Sequence, residues 1–300
     1  MRILAAGASG FLGSRLIERL RAGGHEVVQL VRHPARNPGQ VHWHPAAGQL
    51  DPTAVAGTDA VVNLAGAGVG DQRWTERYRE LLRTSRVDTT RTLAETIAAL
   101  PSADRPAVLL NASAIGWYGD TGDRPVSEDA PAGDGFLANM CRVWEAATGP
   151  AENAGVRVVR LRTGYALHRE AGFLKPQLLP FRLGIGGPLA GGRQWMPWIS
   201  LADWLAAVEF LLGREDIAGP VNVVGPAPVT NTEFTRELGA ALHRPAVMPV
   251  PGFALKILLG GLATEALSSA RVLPGVLPRA GFTYRHPDLA SALRAALHDD

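Results

Sequence analysis

Three glycines three residues apart, Gly7, Gly10 and Gly13, stand between the apolar run Ile3-Leu4-Ala5-Ala6 and a helically spaced set, Phe11, Leu12, Leu16, Ile17 and Leu20. A strand–turn–helix unit with that spacing can hold a pyrophosphate. One glycine makes the tight turn, a second lets backbone approach the phosphates, and a third lets helix and strand pack closely. Free amides and the positive end of the helix dipole then face the anion. The expected contacts are Gly7, Ser9, Gly10, Phe11, Leu12 and Gly13. The next strand ends in Arg32, where a site for the unphosphorylated dinucleotide usually carries Asp or Glu on the ribose 2′-hydroxyl. A guanidinium suits a 2′-phosphate through a charge-assisted fork, so NADP(H) is the expected cofactor. In Asn63-Leu64-Ala65-Gly66, a buried strand ends in small residues that let a cofactor ribose lie against backbone. The Asn63 side chain either reaches that ribose or caps the loop.

The elements that must position these groups alternate. After the first strand, Glu26 to Val31, Val41 to Trp43, Asp59 to Leu64, Val108 to Asn111 and Val156 to Leu161 read as strands. Helical stretches run from Phe11 to Arg21, Thr75 to Leu100 and Phe136 to Ala154. Such alternation implies right-handed crossovers and a parallel sheet covered on both faces. The expected fold is α/β, a Rossmann-type doubly wound parallel sheet with a small helix-rich C-terminal lobe. Residues 1–165 form the dinucleotide-binding core. Residues 166–300 carry the substrate-side segments and the lobe, with a return to the core around 201–224. Glycines and prolines between Gly184 and Pro197 argue for a loop. Asp203 to Leu212, Thr232 to Leu242 and Pro287 to Leu297 read as helices, and Val221 to Val224 as a strand. The apolar stretch Val250 to Leu262 is too short to span a bilayer and reads as an amphipathic helix packed on the protein.

Thirty Lys and Arg against 28 Asp and Glu leave a net charge of +2, with no basic run long enough for nucleic acid. A single cysteine, Cys141, excludes an intrachain disulfide and points to a reducing, cytoplasmic compartment. Met1-Arg2 runs straight into a strand, without a signal pattern. His42 and His44 share one face of a short strand, but with no third ligand nearby no metal is expected. The expected partners are a small-molecule substrate and, at most, a second copy of the chain (monomer or homodimer), with no nucleic acid and no membrane.

These segments extend into Ala112-Ser113-Ala114-Ile115-Gly116-Trp117-Tyr118-Gly119-Asp120, Leu161-Arg162-Thr163-Gly164, Gly184-x-Gly186-Gly187 and Gln194 to Asp203. Together they resemble the extended short-chain dehydrogenase/reductases, and within them the atypical, nucleoside-diphosphate-sugar epimerase-like branch. The tail from Pro274 to Leu297 is similar to that branch's C-terminal domain of unknown function, so the resemblance covers nearly the whole chain. It implies NADP(H) at the C-terminal edge of the sheet and a substrate between sheet and C-terminal lobe. It also implies that Ser113 orients the reacting oxygen beside a Tyr-x-x-x-Lys couple, in which Tyr moves a proton and Lys lowers its pKa. That couple is absent. Tyr78, Tyr118, Tyr165 and Tyr284 all lack Lys four residues later. Setting Glu145 on the family's acidic position puts Leu137 and Cys141 where Tyr and Lys would stand, and Cys141 reads as core.

Other residues can be considered as substitutes. Tyr118 either reaches the substrate as a catalytic group or shapes the pocket floor. Asp120 and Glu128 read as solvated loop carboxylates. Arg162 either holds an anionic substrate group or pairs with a buried carboxylate. Arg86 points toward the cofactor phosphates or makes a helix-surface salt bridge. Trp195 and Trp198 wall a substrate cleft or pin a loop to the core. The function expected is reduction, oxidation or epimerisation of a small carbonyl or hydroxyl compound. The alternative is a catalytically silent NADP(H)-binding sensor or scaffold.

Overall fold

In the first strand, β1 (Arg2–Ala6), Ile3 and Ala5 alternate with Leu4 and Ala6, and all four are buried. A strand apolar on both faces must be covered on both. The computed structural model, which describes residues 1–253 and 260–298, meets that demand with a seven-stranded parallel sheet. After β1 come β2 (Glu26–Val31), β3 (Gln40–His42), β4 (Ala60–Asn63) and β5 (Val108–Ala114). The short strand β6 (Pro125–Val126) lies outside the sheet, which continues with β7 (Arg157–Thr163). Four more short strands, β8 (Tyr165–Leu167), β9 (Trp195–Met196), β10 (Trp198–Ser200) and β12 (Val229–Thr230), form pairs beyond the sheet edge. The seventh sheet strand is β11 (Gly219–Val223), while β13 (Arg271–Val272) pairs with β6. The order across the sheet is β11-β7-β5-β4-β1-β2-β3.

Helices α1 (Phe11–Ala22) and α6 (Leu201–Leu212) bury Leu16, Leu20 and Trp204 against Ile3, Ala5 and Val159 on one face. On the other face α2 (Glu76–Ala99) and α4 (Gly149–Asn153) bury Leu93, Ile97 and Ala151 against Leu4, Ala6 and Leu109. Local chemistry sets the ends of these helices. The Thr75 hydroxyl accepts the Tyr78 amide at the start of α2, and Ser200 accepts the Asp203 amide at the start of α6. Gly24, at φ 80°, follows the last turn of α1, where Arg19 and Arg21 face the negative end of the dipole. A third cluster packs α5 (Lys175–Arg182), α7 (Asn231–Ala241) and the C-terminal helix around Phe181, Trp198, Phe234 and Leu293.

The strand order reverses at β1, whose neighbours are β2 and β4. Ligands of open α/β sheets bind in the crevice beyond the strand ends at such a point. The glycine turn and Asn63–Gly66 therefore meet at one edge.

Several boundaries differ from the sequence reading. Strand β5 runs on to Ala114, so Ser113 pairs with Arg162 inside the sheet. The helix expected over Phe136 to Ala154 breaks into α3 (Phe136–Ala146) and α4. There the Thr148 hydroxyl donates to the Glu145 carbonyl, and Pro150 has no N–H to continue the ladder. Much of the helix expected over Val250 to Leu262 (residues 254–259) lies outside the described residues. Strand β3 is an edge strand that ends at His42, and His44 bridges to Gln49 in the next turn. His42 and His44 flank the buried Trp43, and both are exposed on one surface pocket with Gln49 and Asp51. Among the described residues no helix is long and apolar enough to cross a membrane.

Candidate dinucleotide and substrate site

The glycine turn is shaped by contacts that no β-carbon would allow. Gly7 has φ 81°, and a β-carbon on it would lie 2.5 Å from the Leu64 carbonyl carbon. One on Gly13 would lie 2.1 Å from the Gly7 oxygen. The turn is thereby pressed onto the end of β4, where the Leu64 amide donates to the Ala6 carbonyl. Gly10 caps α1 without a side-chain hydrogen bond, and the first turn of α1 carries no acid. Its leading amides and the exposed Ser9 and Gly10 face the crevice mouth, as an anion requires. Phe11 and Leu12 are half-buried, with the Phe11 ring 4.9 Å from that of His168.

Two arginines bear on this mouth. Arg32 is exposed at the end of β2. Arg86, on α2, is 8% exposed and packs under Gly66, where a β-carbon would lie 3.1 Å from its Cγ. Its Nη1 donates to the Leu82 carbonyl, and its guanidinium lies 5.2 Å from the Trp144 ring centre. No carboxylate among the described residues forms an ion pair with it, and burial pulls its pKa down. It makes no surface salt bridge. A buried cation that the charge of Asp71 offsets only in part is costly, and an anion entering the crevice would remove that cost. The uncapped helix, the glycine cradle and this cation together fit a dinucleotide phosphate.

Of the two roles open to its side chain, Asn63 shows the loop cap in the structure. Fully buried, it donates to Thr90 Oγ1 and to Asn111 Oδ1 at 3.0 and 2.8 Å, and its oxygen accepts the Ala65 amide. Trp144 donates to the same Thr90 hydroxyl. Asn63 therefore shapes the β4 turn from beneath, leaving Leu64, Ala65 and Gly66 to meet a ligand through backbone.

A second network lies under the ends of β5 and β7. The Ser113 hydroxyl donates to Glu145 Oε1 at 2.6 Å. Arg162 grips the same carboxylate at two points, Nε to Oε1 at 2.9 Å and Nη2 to Oε2 at 3.0 Å. Its Nη1 donates to the Tyr118 hydroxyl and the Glu128 carbonyl. The Trp117 ring centre lies 3.9 Å from its guanidinium carbon. Of the two roles open to Arg162, the structure therefore shows the buried-carboxylate pair. Tyr118 is equally committed, since its hydroxyl donates to Asn222 Oδ1 at 2.7 Å and burial pushes its pKa up to about 12. It braces Arg162 and has no proton free for a substrate. Glu128, read as solvated, is buried and accepts the amides of Asn222, Gly275 and Val276. Asp120 stays exposed, accepting the Gly122 amide.

Leu137 and Cys141 lie beneath Gly116, whose β-carbon would meet Leu137 Cβ at 3.0 Å and Cys141 Sγ at 3.7 Å. Burial pushes the Cys141 thiol up to about 12, so it is inert. Beside them stands a carboxylate that the sequence reading missed. Glu265, from the short helix Leu262–Ala266, lies within electrostatic reach of the Leu137 amide at the start of α3. Its Oε1 lies 3.7 Å from where a Gly135 β-carbon would sit. Burial raises its pKa, and Leu137 and the Arg79 charge offset this in part. Nothing in its local sequence marks it, because its surroundings come from α2 and α3.

The tryptophans separate. Trp198 is 1% exposed and donates to the Ala227 carbonyl, which makes it a core pin and not a cleft wall. Trp195 is half-buried, donating to Asp123 Oδ1 with the Arg271 guanidinium 4.4 Å from its ring centre.

Comparison with known proteins agrees with this geometry. Residues 3–225 match the NAD dependent epimerase/dehydratase family and residues 250–296 match a domain of unknown function. An epimerase family protein of Mycobacterium leprae is 42% identical over 295 residues, covering 98% of this chain and 95% of its own length. The mouse epimerase family protein SDR39U1 is 36% identical, with 98% of this chain and 99% of its own covered. The crystal structure of human SDR39U1 with NADPH superposes with a TM-score of 0.90 at 34% identity, covering 99% of this chain and 100% of that one.

Proposed function

The chain belongs to the NAD dependent epimerase/dehydratase family, and from that footing we propose that it binds NADP(H) and oxidises or reduces a small carbonyl or hydroxyl compound. The observation that carries this reading is Arg86, a buried guanidinium without an ion-pair partner, packed under Gly66 two residues past the Leu64 carbonyl against which the glycine turn is pressed. The NADPH in the human relative's structure supports the phosphorylated cofactor. Gly7, Gly10 and Gly13 would admit the pyrophosphate, Arg86 would neutralise it, and Arg32 would take the 2′-phosphate. When bound, the cofactor supplies or accepts a hydride, and the chain must hold and move the matching proton.

With the Tyr-x-x-x-Lys couple absent, Glu265 is the group we place in that role. It stands beside Leu137, where the tyrosine would be, and burial favours its protonated form. Ser113 would orient the substrate oxygen by turning from Glu145. A second reading has its own support. The 2.6 Å bond from Ser113 to Glu145 and the sealed Tyr118 suit a silent NADP(H)-binding sensor or scaffold.

The two readings part on one experiment. NADPH consumption by the purified chain is followed against a panel of aldehydes, ketones and sugar nucleotides. A carbonyl that accelerates it, with the rate lost in Ser113→Ala and Glu265→Gln while NADPH affinity is kept, supports the enzyme. Tight NADPH binding with no turnover across the panel assigns the sensor reading.

A further inference from the structure

Among the described residues, nine large apolar side chains are exposed, and six of them lie on two segments: Leu179, Leu183, Ile185, Val247, Met248 and Phe253. The segments are bonded side by side. The Met248 amide donates to the Gly186 carbonyl at 3.2 Å, Val250 donates to Pro188 at 2.9 Å, and Arg244 Nε donates to the Arg182 carbonyl at 3.1 Å. The six side chains are 54 to 74% exposed and protrude, Val247 beside a small groove that it shares with Pro188, Thr235 and Arg244. A contiguous apolar surface of this kind marks an interaction site.

Charge says what covers it. From 171 to 202 and from 238 to 253 the sequence has no Asp or Glu, yet carries Lys175, Arg182, Arg193 and Arg244. Elsewhere acids outnumber cations, so this lobe is the basic part of a nearly neutral protein. On the neighbouring helix α7, Glu233 caps its own N-terminus and Glu237 is paired with Arg236. A two-fold contact between copies would set these cations against each other with no acid to answer them.

We propose that this ridge is a docking surface for an anionic lipid bilayer, with the apolar side chains entering the headgroup boundary and the arginines meeting lipid phosphates. Protruding aliphatic groups ringed by cations are the composition of an interfacial anchor, which lies on a membrane and needs no spanning helix. A bilayer also demands no shape match, which suits a ridge better than it suits a groove-seeking peptide. The proposal departs from the expectation of no membrane partner, and it rests on the exposure of these side chains in the fold.

The test is flotation of the full chain, loaded with NADPH, with vesicles of phosphatidylcholine alone or with phosphatidylglycerol added. The chain should float with the anionic vesicles only, and added salt should release it. Lys175→Gln with Arg182→Gln should weaken binding roughly thirtyfold, and Leu183→Glu with Ile185→Glu should abolish it. Both pairs should retain the parent NADPH affinity and melting temperature, since the altered side chains are exposed and distant in sequence from the glycine turn. No flotation, or equal flotation with neutral vesicles, overturns the proposal. So does a concentration-dependent dimer dissolved by the same substitutions, or binding to polyglutamate in place of vesicles.

Discussion

Arg162 and Glu145 hold each other in a two-point ion pair that also takes the hydroxyl of Ser113. The three side chains come from β7, α3 and β5, so the pair ties a crossover helix to two central strands. Arg162 is 2% exposed and Glu145 is 6% exposed, which keeps solvent from screening the pair. Replacing Arg162 by Met leaves a buried carboxylate unanswered and should cost about 3–5 kcal/mol in urea unfolding. Arg162→Met with Glu145→Leu should recover much of that loss. A single substitution costing under about 1 kcal/mol would mean that water reaches the pair.

Arg32 tests the choice of dinucleotide. Its side chain is exposed at the end of β2, so Arg32→Ala should leave the fold unchanged. Calorimetry should show NADPH affinity falling roughly tenfold to a hundredfold, with NADH little affected, as expected for a lost charge-assisted hydrogen bond. Equal losses for both cofactors would place the 2′-phosphate elsewhere.

Gly13→Ala tests the cradle. The added carbon would stand 2.1 Å from the Gly7 oxygen, so the turn must open. Stability should fall by about 1–3 kcal/mol, as for other overpacked sites, and NADPH binding should be lost. Unchanged binding would show that helix and turn can separate without harm.

Glu265 gives a pH dependence with a defined sign. Its folded pKa is raised above the ordinary 4.5, so the folded state holds the proton more tightly than the unfolded one. Its contribution to stability is fully present below the unfolded value and is lost as pH rises through the folded one. Paired melts of the parent chain and Glu265→Gln across that window should show the parent's advantage shrinking with pH. Parallel curves would remove Glu265 from the list of perturbed groups, and with it the proton role assigned above.

The tryptophans should answer differently. Trp198→Ala empties a fully buried site and should cost about 3–5 kcal/mol. Trp195→Ala removes a half-buried ring and should cost under about 1.5 kcal/mol in the same denaturation assay. Equal losses would return Trp198 to the cleft.

Legibility in the sequence followed the range of the interaction. Gly7, Gly10 and Gly13 were readable because turn, helix start and strand end all fall within a few residues. The role of Tyr118 stayed open between substrate group and pocket floor because its partners, Asn222 and Arg162, stand 104 and 44 residues away. Glu128 looked solvated among loop residues until Gly275 and Val276 folded their amides over it. Trp198 and Trp195, three residues apart, carry the same local signal, yet β10 and β9 turn them to different surroundings.

By itself, the order of residues determined a parallel α/β sheet, the glycine mouth at its edge, the basic end of β2 and the loss of the Tyr-x-x-x-Lys couple. These depend on periodicity and spacing, which are properties of neighbours along the chain. Only the tertiary structure decided that Ser113 is held by Glu145, that Arg86 is buried without an ion-pair partner, and that Glu265 stands beside Leu137. Burial and pairing are relations between distant segments, and a side chain's pKa, reach and free hydrogen bonds are fixed only when those segments meet.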